Sequence, residues 1–237
     1  MNTKLNVYII EARVAPVLVS FVPIGLAVIA WFPEKFVGWG LLTGLLTSIG
    51  MTALLAQLGR DLGKKKQPDL FNAWGGAPTT QMLRYRDTKL NPVTFERYRS
   101  KLESLINKKL PSQEEEQKNS KQADDTYISC IDYLRINTKD DKKFPLVCSE
   151  NINYGFRRNL WALKSIGIIA DLMAIISTGI LIFLNKNNIG FLSPIVLFVF
   201  LIEILFLILW ILVIRPEWVQ TTANAYAESL LAACDKL

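Results

Sequence analysis

Two carboxylates stand inside runs of apolar residues, Asp171 about a turn and a half into one run and Glu203 in the middle of another. An ionisable group at the centre of a membrane-spanning helix costs at least about 2.5 kcal/mol on insertion scales, so it faces a partner helix or a watered path, or else it is protonated. Glu203 has apolar sequence on both sides, at 195–202 and 204–214, and cannot reach an interface, whereas Asp171 is nearer to one. A ring of such carboxylates about a symmetry axis favours cation passage, and a single protonated Glu bonded to a neighbouring helix serves packing alone. Glu203 and Asp171 are the candidate pore or intramembrane residues.

A second chemistry comes from arginine interleaved with aromatic rings. Arg84 and Arg86 flank Tyr85, Arg97 and Arg99 flank Tyr98, and Arg157 and Arg158 follow Tyr154-Gly155-Phe156. A guanidinium grips phosphate with a planar fork while a ring offers a stacking face, so these residues suit a nucleotide. Just upstream, Gly75-Gly76-Ala77-Pro78-Thr79-Thr80 reads as a turn feeding a helix. Free backbone N–H groups at Gly75, Gly76, Thr79 and Thr80 would suit an anion. The plainer alternatives are a turn close to the membrane, and cations that flank a span or face anionic lipid.

Other chemistries are excluded by composition. The chain has no histidine, which removes Ser-His-Asp and Cys-His triads and His-ligated zinc. It also has no P-loop and no G-x-G-x-x-G. No enzyme, cofactor or metal is expected. Cys130, Cys148 and Cys234 are isolated and read as free thiols in a reducing compartment.

The elements that must position these groups are helical. Crossing about 30 Å of hydrocarbon takes about 20 apolar residues, and the runs 14–32, 37–57, 166–184 and 191–214 meet that length. Short turns at 33–36 and 185–190 make each pair an antiparallel hairpin. The expected fold is an all-α membrane protein: four transmembrane helices as two hairpins, with a helical cytoplasmic insert between them. Its parts are an N-terminal hairpin (1–57), a basic helical domain (58–164), a C-terminal hairpin (165–214) and a helical tail (215–237). Trp31, Trp39, Trp161, Trp210 and Trp218 fall near span ends, where amphipathic rings sit at headgroup level. The N-terminal run ends without a small-residue cleavage pattern and reads as a retained span.

Residues 58–164 hold 21 of the 27 basic residues against 14 of the 21 acidic ones. The two turns contain only Lys35 and Lys186. By the positive-inside rule the central domain and both termini of this multi-pass protein are cytoplasmic.

Within the insert, Asn91-Pro92 predicts a helix start, with Val93, Phe95, Tyr98, Leu102, Leu105 and Ile106 on one stripe and an end near Leu110-Pro111. A second helix begins around Asp124-Asp125, with Tyr127, Ile128, Ile131 and Leu134 on one face. The polar residues 112–122 between them read as a loop. The second span is rich in small and hydroxyl residues, including Gly40 and Gly44, which implies close packing or a weakly polar lining. In the tail, Val219, Ala223, Tyr226, Leu230 and Cys234 form a helical stripe that packs on the insert or on another subunit.

The segments GGAPTT, RYRD and NYGFRRN, set between two membrane hairpins, resemble those of small bacterial membrane effectors of anti-phage defence. Within that group the layout is similar to the channel subunit of Hailong-type systems. The resemblance implies a homo-oligomeric ion channel in the lipid bilayer, gated by a nucleotide or oligodeoxynucleotide signal on its cytoplasmic domain. It also implies an operon-encoded nucleotidyltransferase as partner and source of the signal. The alternative is a membrane anchor or scaffold that recruits a cytoplasmic partner without conductance.

Overall fold

A computed structural model describes residues 8–32, 39–87, 89–185 and 194–237, with side chains described at 54 and from 56 onward in the second stretch. No strand occurs among the described residues. The chain divides into two compact units, Met1–Lys66 with Gly155–Val219, and Gln67–Tyr154 with Gln220–Leu237.

In the first unit three helices are long and apolar enough to cross a membrane. They are α1 (Ile10–Trp31), α8 (Lys164–Leu184) and α9 (Pro194–Leu212), with mean hydropathies of 2.2, 2.3 and 3.2. This is a membrane-associated protein. The 37–57 run falls largely in α2 (Trp39–Ala73), a helix of 35 residues. The turn at 33–36, most of the turn at 185–190, and the side chains of Trp39, Gly40, Gly44 and their small neighbours up to 53 lie outside the described residues.

The apolar helices bury their small and polar residues and turn large apolar ones outward. On α1 the buried stripe is Pro16, Ser20, Pro23, Ala27 and Ala30. On α8 it is Gly167, Ala170, Asp171, Ala174 and Thr178, and on α9 it is Val199, Glu203 and Trp210. Leu18, Ile169, Met173, Ile176, Phe198 and Leu201 are exposed. Spacings of three and four residues place each set on one helix face. Small residues on the inner faces of α1 and α8 let the backbones approach closely.

Two of these positions shape the helices locally. Pro23 sits inside α1 and has no N–H to give to the preceding turn. The buried Ser20 hydroxyl donates to the carbonyl of Pro16 at 2.8 Å. Trp31 Nε1 donates to Ser177 Oγ at 2.9 Å, which joins the end of α1 to α8. Trp210, two residues from the end of α9, is buried against Gly167, where an added Cβ would overlap the indole.

The second unit contains a single helical turn, α3 (Pro78–Gln81), followed by a 3₁₀ turn at Tyr85–Asp87. Helices α4 (Pro92–Ile106), α5 (Gln113–Lys118) and α6 (Ser120–Asn137) come next. It also takes the first part of α7 (Pro145–Ala162) and most of α10 (Pro216–Ala232). Helix α4 is capped by the Asn91 side chain, which accepts from the Thr94 N–H. It ends at Ile106 because Asn107 adopts a left-handed φ of 51°, four residues before Pro111.

Tyr98, Leu102, Tyr127, Cys130, Ile131 and Leu134 form the core, together with Ala227, Leu230, Leu231 and Cys234 of the tail. The tail stripe therefore packs on the insert of its own chain. Val93 and Ile128, expected on the buried stripes, are 80% and 46% exposed, which narrows both faces. The segment 112–122 is helical rather than a loop. Ser112 and Glu115 make a reciprocal capping box, and Asn119 caps α6, so the polar residues serve helix ends.

Candidate functional site

In the first unit, Asp171 and Glu203 are both fully buried inside the apolar bundle. Thr178, two helical turns after Asp171 on the same face of α8, donates its hydroxyl to Glu203 Oε1 at 2.9 Å. Glu203 Oε2 and both oxygens of Asp171 have no hydrogen-bond partner among the described residues. The two carboxyls lie within electrostatic range of one another. An acid without full hydrogen bonding in apolar surroundings is costly, so this is a polar seam retained despite its expense. It runs inside the subunit, since both acids turn inward toward neighbouring helices.

In the second unit, Arg84 and Arg86, two of the arginines predicted to bind phosphate, are brought together around carboxylates. Arg84 donates Nε and Nη2 to the two oxygens of Asp124, each at 2.8 Å. Its Nη1 donates to Asp87 Oδ2 at 3.0 Å and to the Gly75 carbonyl at 2.8 Å. Four of its five N–H donors are thus used. Burial opposes the charge of Arg84, but the hydrogen bonds and charges of Asp124 and Asp87 outweigh it and hold its pKa above the ordinary value.

The Gly75-Gly76 turn is shaped around this guanidinium. Gly75 and Gly76 have φ of 80° and 137°, and a Cβ on Gly76 would come within 2.8 Å of Arg84 Nη2. The N–H groups of Gly75, Gly76, Thr80 and Gln81 bond to carbonyls at Asn72, Phe71 and Ala77, and Thr79 and Thr80 are buried.

Arg86 bridges Glu116 and Asp124 at 3.1 and 2.9 Å. Glu116 accepts from Tyr127 Oη at 2.8 Å and from the backbone N–H groups of Tyr85 and Arg86. Burial pushes its carboxyl up, but these hydrogen bonds and the Arg86 charge bring it below its ordinary value. Arg99 is enclosed by rings, its guanidinium carbon 4.4 Å from the Tyr85 centroid, 5.2 Å from Phe95 and 5.5 Å from Tyr127. It donates to the carbonyls of Leu83 and Pro111 and to Tyr127 Oη. The aromatic partners of Arg99 are thus present, but they enclose it within the fold.

The remaining predicted residues lie apart from this network. Exposed Arg97 sits over Tyr98 and pairs with Asp235 at 3.3 Å. Tyr154 stacks on Tyr226 at 6.2 Å and accepts from Gln67 Nε2. In the first unit, Arg157 lies 4.6 Å from the Trp218 ring and donates to that residue's carbonyl, while Arg158 is buried and donates to Asn159 Oδ1. Thr178, Asp124 and Glu116 are the site residues that the sequence did not single out. Asp124 was read only as part of a helix start, which lies four residues earlier at Ser120, and Glu116 adjoins the Ser112-x-x-Glu115 capping pattern.

No protein-family model, curated protein or solved structure matches this chain.

Proposed function

We propose that the chain is a subunit of a homo-oligomeric ion channel in the bacterial inner membrane, an effector of anti-phage defence. In this reading a nucleotide or short single-stranded DNA, made by an operon-encoded nucleotidyltransferase, sets its conductance from the cytoplasmic side. Four spans in two hairpins, the second formed by the start of α2, would put the basic unit and both termini in the cytoplasm.

The observation that carries the proposal is the polar seam of Asp171, Thr178 and Glu203, buried among helices whose outer faces are apolar. Packing through Thr178 accounts for one oxygen of Glu203, and a cation path through the subunit would account for the acceptors left over. Of the arginines expected at phosphate, Arg86 and Arg97 are exposed but already paired with carboxylates, and Arg84 and Arg99 hold the fold. Conductance of the purified protein in planar bilayers, with and without short DNA and cyclic nucleotides, tests this. Cation currents that respond to one of these ligands support the channel.

The second reading is a membrane scaffold without conductance. The Thr178 hydrogen bond favours it, because a Glu203 bonded to a neighbouring helix is also a packing device. Silent bilayers with every ligand would select it.

A further inference from the structure

The arginines of the second unit face carboxylates or carbonyls, whereas its exposed lysines make no ion pair among the described residues, and three of them share one cleft. Lys108, Lys109 and Lys118 line this cleft of about 650 Å³. Ligand clefts span roughly 300–1,000 Å³, so the space suits a small molecule or part of a strand.

The cleft is built rather than incidental. After the left-handed Asn107, the turn is pinned from two sides. Glu103 Oε1 accepts from the Leu110 N–H at 2.8 Å, and Arg99 Nη2 donates to the Pro111 carbonyl. Leu110 is buried in the core. Lys108 and Lys109 are thereby held opposite the start of the 18-residue helix α6, where the dipole is positive. The acid on the wall, Glu115, is occupied by the capping box through the Ser112 N–H. Asn119 caps α6 through Oδ1 and donates Nδ2 to Gln122 Oε1 at 3.3 Å, which leaves amide N–H donors on both residues, and Pro111 and Ala123 give an apolar wall.

We infer that this cleft, rather than the arginine network, binds a phosphate-bearing anion of nucleotide type, with Lys108, Lys109 and Lys118 holding phosphate. Lysine ammoniums act as mobile point charges on phosphate, and the amides can meet a base edge. The inference rests on the proposed nucleotide signal and gives it a site.

The test uses the full chain in zwitterionic nanodiscs, titrated with labelled short single-stranded DNA, with ATP and with pyrophosphate over a range of salt. Lys108→Gln/Lys109→Gln should weaken binding at least tenfold and lower the salt slope by about 1.4, from about 0.7 per charge on single strands. Lys118→Gln should weaken it further. Lys142→Gln/Lys143→Gln, at exposed positions elsewhere in the unit, should leave it unchanged.

Equal loss in both pairs, or no loss in the cleft pair, overturns the site while leaving nucleotide gating intact. Wild-type protein that ignores all three probes overturns both. In a parallel arm with anionic lipid added to the nanodiscs, lysine variants that change only the retention of that lipid, and not the binding of the three probes, would assign the cleft to headgroups and overturn it as well.

Discussion

Thr178 Oγ1 donates to Glu203 Oε1 at 2.9 Å, joining α8 to α9 in the buried interior of an otherwise apolar bundle. One oxygen of Glu203 is thereby satisfied, and the other has no partner among the described residues. The pair combines a packing contact with an unspent acceptor, and function depends on which of the two matters.

A double-mutant cycle separates them. Thr178→Val should destabilise the protein by about 1–3 kcal/mol, because it strands a buried acceptor. Thr178→Val with Glu203→Leu should recover most of that loss, since removing both partners is nearly neutral. Thermal unfolding in detergent reads both effects. If the seam conducts, the double variant is stable but silent in bilayers.

Gly167 is the second prediction. Any Cβ there overlaps the Trp210 indole, so Gly167→Val should cost about 1–3 kcal/mol by overpacking. Trp210→Leu in the same chain should relieve part of the loss. Equal Tm values for the wild type and Gly167→Val would show that the indole does not pack there.

The arginine network predicts a contrast between buried and exposed pairs. Arg84→Ala leaves Asp87 without its cation and Asp124 with Arg86 alone, and should cost about 1.5–3 kcal/mol. Arg97→Ala removes an exposed pair with Asp235 and should cost less than about 1 kcal/mol. Limited proteolysis of the full chain at rising temperature orders the two variants.

Much of this fold was legible because its signals are local. Glu203 stood out by its apolar neighbours on both sides, and the tail stripe from Val219 to Cys234 follows helical spacing. Asn91-Pro92 and its cap are contiguous. What could not be read was pairing at a distance. Asp124 meets Arg84 from 40 residues away and Glu116 meets Tyr85 from 31, and no periodicity encodes either. Trp210 stands near a span end in sequence, and its pairing with Gly167 across the helix pair is a distant contact of the same kind. Residues 112–122 are solvent-facing as their polarity indicates, apart from Glu116, but their caps make them helical where polarity alone reads as a loop.

The network also sets a pH dependence. Glu116 lies below its ordinary value of 4.5, so the unfolded chain takes up that proton first. Its contribution is complete above 4.5 and is lost as pH falls below that through the folded value. Tyr127 is pushed up to about 12, chiefly by burial, so its contribution is complete below 10 and is lost as pH rises from 10 through 12. Glu116→Gln should flatten the acid limb of a Tm–pH profile, and Tyr127→Phe the alkaline limb. Unchanged limbs in both variants would count against the hydrogen bonds described.

Single-channel recording on wild type and Glu203→Gln, each with and without a short single-stranded DNA, tests the central claim most directly. Wild type should carry cation-selective currents that the strand changes, and Glu203→Gln should reduce the current or its selectivity while the protein remains folded. Silence of the wild type under every condition, or identical currents in the two proteins with no response to the strand, would contradict it.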